Sequence, residues 1–382
     1  MNSISSATGR LVHDGARAAQ VRPDASAKQQ IAALVDLIDL HLAGASLPGV
    51  SDEGRLVLRV PQLASEARGA LGTLIESRVD ETLTIDVLEA AGDDWVAAPT
   101  GWNASDPAEY STWPALLAQQ WKVPGLVTDV VERVAVPGLR AYPRLSTRGK
   151  EWSLRLEGLE VGRGTASRLT LGVGKDGVGD ARSRQRDAWI AATKRADTVE
   201  TESADEAAAL VSRFIVEWQQ RGAGQVEQDE HALESRILRG EALIAVRGLV
   251  LSRVPAHHVV NWGSQFPTKW GPGGSARYLD ALLADGTTPW AIEMKVAGSA
   301  GVGSYYRQAV TQAVLYREFI RRATPLHFWF EERGLEAARC EAAVVVPRLP
   351  PAQEKWRTRL QALTAYFGAE FVEVDPAHAR RY

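Results

Sequence analysis

The sequence predicts an α/β protein whose C-terminal half is a mixed central sheet flanked by helices, preceded by an α+β region. Three observations carry this reading. Two apolar runs, residues 278–284 and 289–296, flank Asp285-Gly286-Thr287-Thr288, a strong hairpin-turn signal. A helical pattern over residues 304–322 follows, with Gln308, Gln312 and Tyr316 at four-residue spacing on one face. An apolar strand at 342–346 bounded by prolines, an amphipathic helix at 356–367 and a last strand at 370–374 complete the order.

Taken from the start, residues 1–25 lack an apolar signal core and read as a flexible leader. Helix 28–42 stops at Gly44, strand 56–60 and helix 66–79 follow, and strand 82–88 runs into a turn at 91–94. These predict an N-terminal α+β domain over 26–135, in which Trp95, Trp102, Trp113 and Trp121 read as core or interface anchors. A basic, β-rich region spans 136–200, with alternating runs 152–161 and 167–173 separated by Gly162 and Gly164. Gly172-Val173-Gly174-Lys175 fails the phosphate-loop spacing, because Asp176 follows the lysine. After a polar linker, Ser203 and Glu206 can cap helix 205–220. A second helix, 230–238, and strand regions 243–253 and 257–266 lead into the hairpin, so the final domain spans 205–382. His257 and His258 are adjacent and point to opposite faces of a strand, which argues against a zinc site.

The composition, 45% apolar and 24% charged, is that of a soluble globular protein, and no apolar run reaches membrane-spanning length. The single cysteine, Cys340, rules out an intramolecular disulfide and reads as a small buried residue in a reducing compartment. A cytoplasmic location is therefore expected. The net charge of −3 excludes a globally basic nucleic-acid coat, but its distribution is uneven. Residues 1–132 carry 9 Lys/Arg against 18 Asp/Glu, and residues 133–195 carry 14 against 6. The densest basic cluster, Arg182, Arg184, Arg186, Lys194 and Arg195, could grip phosphates while Trp189 stacks on a base. A solvated helix face is the alternative.

The hairpin holds the chemistry. With Gly286 and Thr287 at the turn, Asp280 lies across from Glu293, and Lys295 shares the face of Glu293. Like charges facing each other in a sheet destabilise it, so a paired lysine or a divalent cation must offset them. The alternative is a solvated face on which Lys295 only pairs with an acid.

With Asp280, Glu293-Met294-Lys295 and Gln312-x-x-x-Tyr316 in this order, residues 205–382 resemble the PD-(D/E)xK nuclease superfamily, and by the last motif its RecB-like branch. Leu279 departs from the pattern, standing where that family carries a proline. The resemblance implies a restriction-endonuclease-like core and phosphodiester hydrolysis with Mg2+ or Mn2+. Asp280, Glu293 and the Met294 carbonyl would hold the metal, with a further carboxylate from helix 230–238: Glu234, or in reserve Glu230. Lys295 would orient the water, Gln312 and Tyr316 would support the site, and Arg307 would bind phosphate. The implied partner is nucleic acid, DNA ahead of RNA, with a homodimer as many relatives form. Prokaryotic genome defence or repair is a setting common to such enzymes. Two rivals stand beside it: a catalytically inactive nucleic-acid-binding or assembly module on the same fold, and an unrelated α/β protein whose Lys295–Glu293 pair is structural.

Overall fold

The computed structural model describes residues 8–380 apart from 45–48, 111, 119–122, 145–150, 158, 173–179, 196, 223–229, 255–265, 273–275 and 297–301. These fall into two compact units. One is drawn from Met1–Pro114, Ile244–Val254 and Gly263–Val374, the other from Ala115–Leu243 and Asp375–Tyr382. Among the described residues no helix is long and apolar enough to cross a membrane.

The first described residues form a hairpin inside the stretch read as a flexible leader. Strand β1 (Thr8–His13) pairs antiparallel with β2 (Ala16–Val21), turning through Asp14 and Gly15 at φ 48° and 76°. Two left-handed residues in succession match the right-handed twist of the strands. Helix α1 (Ala27–Leu42) starts at a reciprocal Ser26/Gln29 capping box and buries Ile31, Leu34 and Ile38. Strand β3 (Asp52–Val60), helix α2 (Ser65–Glu76), β4 (Thr84–Ala91) and β5 (Asp94–Ala97) follow. The sheet order is β1-β2-β3-β4-β5. The β2–β3 and β3–β4 pairs are parallel, each joined by a helical crossover, while the outer pairs are antiparallel. The region is thus α/β, with its purely apolar strand segment Leu56–Val57–Leu58 at the centre, as a strand covered on both faces requires.

A short helix, α3 (Trp113–Leu117), and α4 (Gly125–Val134) come next. Strands β6 (Leu139–Arg144), β7 (Glu151–Leu156), β8 (Leu159–Gly164) and β9 (Leu169–Leu171), helix α5 (Asp180–Thr193) and β10 (Val199–Thr201) build an antiparallel meander in chain order. The predicted strand 152–161 is broken at Glu157, which takes φ 47°. Gly162 and Gly164 lie inside β8 instead of at a turn. A Cβ on Gly164 would sit 2.6 Å from side-chain methyls of Leu169 and Val127, which would have to shift to admit it.

Helices α6 (Ala204–Gly222) and α7 (Glu230–Arg239) begin where the sequence places them, and Ser203 caps the first through the Glu206 N–H at 3.3 Å. They do not open a C-terminal domain. Leu210, Val211, Phe214, Ile215 and Trp218 of α6 join Leu154, Leu156 and Trp189 in the core of the meander unit. In the same unit, α7 is tied to residues near the C-terminus by Arg236, which donates to the carbonyls of Ala377 and Arg380.

The first unit resumes with β11 (Ala245–Val246), β12 (Leu249–Val250) and β13 (Ser252–Arg253), then β14 (Phe266–Lys269) and β15 (Ala276–Leu279). Strands β16 (Ala281–Asp285) and β17 (Thr288–Met294), helix α8 (Val302–Arg322) and the short α9 (His327–Glu331) come next. Strand β18 (Glu341–Pro347), helix α10 (Glu354–Tyr366) and β19 (Glu370–Val374) close the unit. The order β13-β16-β17-β18-β19 makes a mixed sheet, antiparallel at β16–β17 and parallel at β17–β18–β19 with α8 and α10 as crossovers. Helices α1 and α2 pack on α8, and α1 also on α10, so the expected boundary between an N-terminal domain and this sheet does not exist.

Charged side chains fasten that packing. Arg307 on α8 donates from Nε to Asp36 at 2.6 Å and lies 3.3 Å from Asp39, and Arg359 on α10 is hydrogen-bonded to both oxygens of Asp39. Trp102 stacks on Phe319 and Trp113 meets it edge-on, so both half-buried rings pack against α8. Cys340 is buried, and desolvation pushes its thiol up to about 12. Its thiolate is therefore scarce at neutral pH and shielded from reagents. Native protein should leave a chromogenic disulfide reagent unreacted at pH 8, with one equivalent released on unfolding.

Candidate functional site

The β16–β17 hairpin has the register the turn residues demand. Asp285 pairs with Thr288 and Ala281 with Ile292, which brings Asp280, the residue just before β16, level with Glu293. Gly286 takes φ 54° while Thr287 keeps a negative φ, as a turn with one left-handed residue requires. Asp280 occupies the break between β15 and β16: β15 diverges to pair with β14, and β16 stays in the main sheet. At this bend Asp280 Oδ2 accepts the Met294 N–H at 2.8 Å.

Glu293 is fully buried. Lys295, also buried, donates from Nζ to Glu293 Oε1 at 2.5 Å and to the Met294 carbonyl at 2.9 Å, and sits 3.9 Å from Asp280 Oδ2. Its own N–H donates to the Val345 carbonyl at 3.1 Å, so the parallel β18 fixes the backbone from which it reaches back. A carboxylate stays ionised at such burial only beside compensating charge and donors, and the ammonium supplies both.

Helix α8 adds a hydrogen-bond relay. Gln312 Nε2 donates to the Tyr316 hydroxyl at 3.2 Å, which donates to the Tyr278 carbonyl at 3.1 Å. Burial, with the nearby Glu293 and Asp280 carboxylates, raises the Tyr316 phenol well above its ordinary range, so it remains a neutral donor and cannot serve as a base. Tyr305 places its ring 5.7 Å from Lys295 Nζ. Sequence reasoning missed it, since an aromatic in the first turns of a helix carries no spacing signal.

The other expected site residues fare differently. Arg307 is buried against Asp36 and Asp39 and has no face for phosphate, which corrects that expectation. Trp189 is 1% exposed with its Nε1–H on the Asp197 carbonyl, so it cannot stack on a base. Arg182 and Arg184 lie in α5, but their side chains fall outside the described residues; Arg186 is half-buried, and Lys194 and Arg195 are exposed. In the second unit, Glu234 is held 3.3 Å from His231 Nδ1, a contact that raises the imidazole above its usual range, and Glu230 sits one turn earlier on α7. His257 and His258 lie outside the described residues.

The chain matches no protein-family model, no curated protein and no solved structure. Asp280 and Glu293 bring carboxylate oxygens within 4.8 Å of each other, donors that suit a hard divalent cation better than a soft one.

Proposed function

We propose that this protein is a Mg2+- or Mn2+-dependent phosphodiester hydrolase acting on nucleic acid, DNA in the first instance, on a restriction-endonuclease-like core. The observation that supports it most is the buried Lys295 ammonium between two carboxylates, 2.5 Å from one and 3.9 Å from the other, at the end of a hairpin in a mixed sheet. A purely structural pair needs one acid; the second, Asp280, is brought in by a break in the strand.

In this reading Asp280, Glu293 and the Met294 carbonyl hold the cation. When bound, it polarises a phosphoryl oxygen and lowers the pKa of a coordinated water. Lys295 orients that water and offsets the charge that develops on phosphorus. Gln312 and Tyr316 act through the Tyr278 carbonyl, holding the strand two residues before Asp280 in place.

The test incubates the purified protein with linear and circular DNA, single-stranded DNA and RNA, in Mg2+, Mn2+ or EDTA. Cleavage should require the cation, and Asp280→Ala should lower it by about 100-fold or more with the fold intact. Absence of cleavage on every substrate, together with no cation binding by calorimetry, would overturn the reading and leave a non-cleaving binding module.

A further inference from the structure

Among the described residues, the large apolar side chains that remain substantially exposed include a single aromatic, Tyr278, at 51%. A lone exposed apolar residue is ordinary on a protein surface. Tyr278 differs in where it stands and in how firmly it is held. Two residues along the chain separate it from Asp280, which stands at the break where β15 gives way to β16. Next to it in β15, Leu279 is fully buried, which directs the Tyr278 ring outward.

The backbone beneath the ring is fixed on both sides. The Tyr278 carbonyl accepts the Tyr316 hydroxyl at 3.1 Å, and Tyr278 pairs with Pro267 in β14. On the other side, Arg277 is hydrogen-bonded to Glu66 of α2, with its guanidinium 5.0 Å from the centre of the Trp270 ring. Thr268 Oγ1 donates to the Arg277 carbonyl at 3.3 Å. The result is an aromatic ring in solvent on a held backbone, two residues before Asp280 and supported by the same tyrosine that borders the carboxylates.

Resting on the hydrolase reading above, we propose that Tyr278 is a stacking platform for the unpaired base adjoining the phosphate at Asp280, which makes single-stranded nucleic acid the preferred substrate. An aromatic ring stacks on any base with a free face, whereas duplex bases already cover one another. A tyrosine ring has only two side-chain torsions to fix on binding, so little of the contact is lost to ordering. DNA and RNA offer the same base faces, so the platform serves both.

The experiment measures fluorescence anisotropy of labelled oligodeoxythymidine and oligouridine with the full chain in EDTA, where cleavage is blocked, beside a DNA duplex of mixed sequence. Tyr278→Ala should weaken binding of both single strands about 10-fold and leave the duplex unchanged, while Tyr278→Phe and Tyr278→Trp stay within about twofold of the parent protein. Circular dichroism of each variant reports folding, and the two aromatic replacements keep the test decisive should the alanine variant unfold: loss of single-strand binding in both would overturn the platform. So would single-strand binding by Tyr278→Ala equal to the parent, a loss shared by the duplex, or a parent protein that binds no single strand. Selective loss without any metal-dependent cleavage would keep the platform and remove the hydrolase. Metal-dependent cleavage that is indifferent to Tyr278→Ala would do the reverse.

Discussion

Lys295→Ala should lower metal-dependent cleavage by about 100-fold or more and also destabilise the metal-free protein by about 3–5 kcal/mol. The second effect follows from burial. Glu293 is fully buried, and the ammonium 2.5 Å from its Oε1 is the compensating charge beside it. Truncating the lysine leaves a carboxylate in a low-dielectric site, where an unmatched charge is costly. The two consequences can be separated. Adding Glu293→Gln to Lys295→Ala removes the stranded charge, so the melting temperature should recover while cleavage stays lost. A divalent cation should stabilise the single variant by about 2.7 kcal/mol at a hundred times its dissociation constant, seen as a raised melting temperature. If the pair served structure alone, the double variant would regain stability and the parent would show no cation-dependent cleavage or stabilisation.

Asp39→Ala should cost about 3 kcal/mol of stability, measured by urea unfolding, without touching the carboxylate site. Asp39 is 2% exposed and accepts from Arg359 on α10 while lying 3.3 Å from Arg307 on α8. Removing it leaves Arg307 with Asp36 but strips Arg359 of its partner on α1. Both guanidiniums lie over Trp356, at 5.8 and 5.0 Å, so their packing is disturbed as well. Asp39→Asn keeps the shape and an acceptor, and should recover part of the loss. A change in melting temperature below one degree for Asp39→Ala would show that the network adds nothing to the packing of the three helices.

The parts of this molecule legible in the sequence are those set by short-range rules. The register of β16 and β17 follows from a two-residue turn with glycine first, and it delivers Asp280 opposite Glu293 as the alternation requires. The positions of α1, α8 and α10 follow from apolar periodicity. What escaped was decided at long range or by faint patterns. Arg307 looks like a surface arginine until Asp36, 271 positions away, is brought beside it. Trp189 among basic residues suggests a stacking ring, but the meander needs its bulk, and a Cβ on Gly172 would lie 2.9 Å from it. The opening hairpin was concealed by small residues, Ala16, Ala18 and Ala19, which have little strand preference of their own. No local feature marks α6 as belonging with the meander, since an amphipathic helix shows that it has a buried face but not against what.

The interleaving of the two units has a consequence for synthesis. The apolar face of α1, complete by Leu42, rests in the finished molecule partly on α8, which starts only at Val302. At the usual 5–20 residues per second, some 260 intervening residues take roughly 13–50 s to emerge from the ribosome. Throughout that interval the nascent chain carries a helix whose final neighbour has not been made, while Ala115–Leu243, nearly all of the other unit, is already translated. The order of translation therefore favours the inserted segment as the first to mature, and it leaves the opening strands and α1 dependent on chaperones that shield apolar surface until the last third of the message is read.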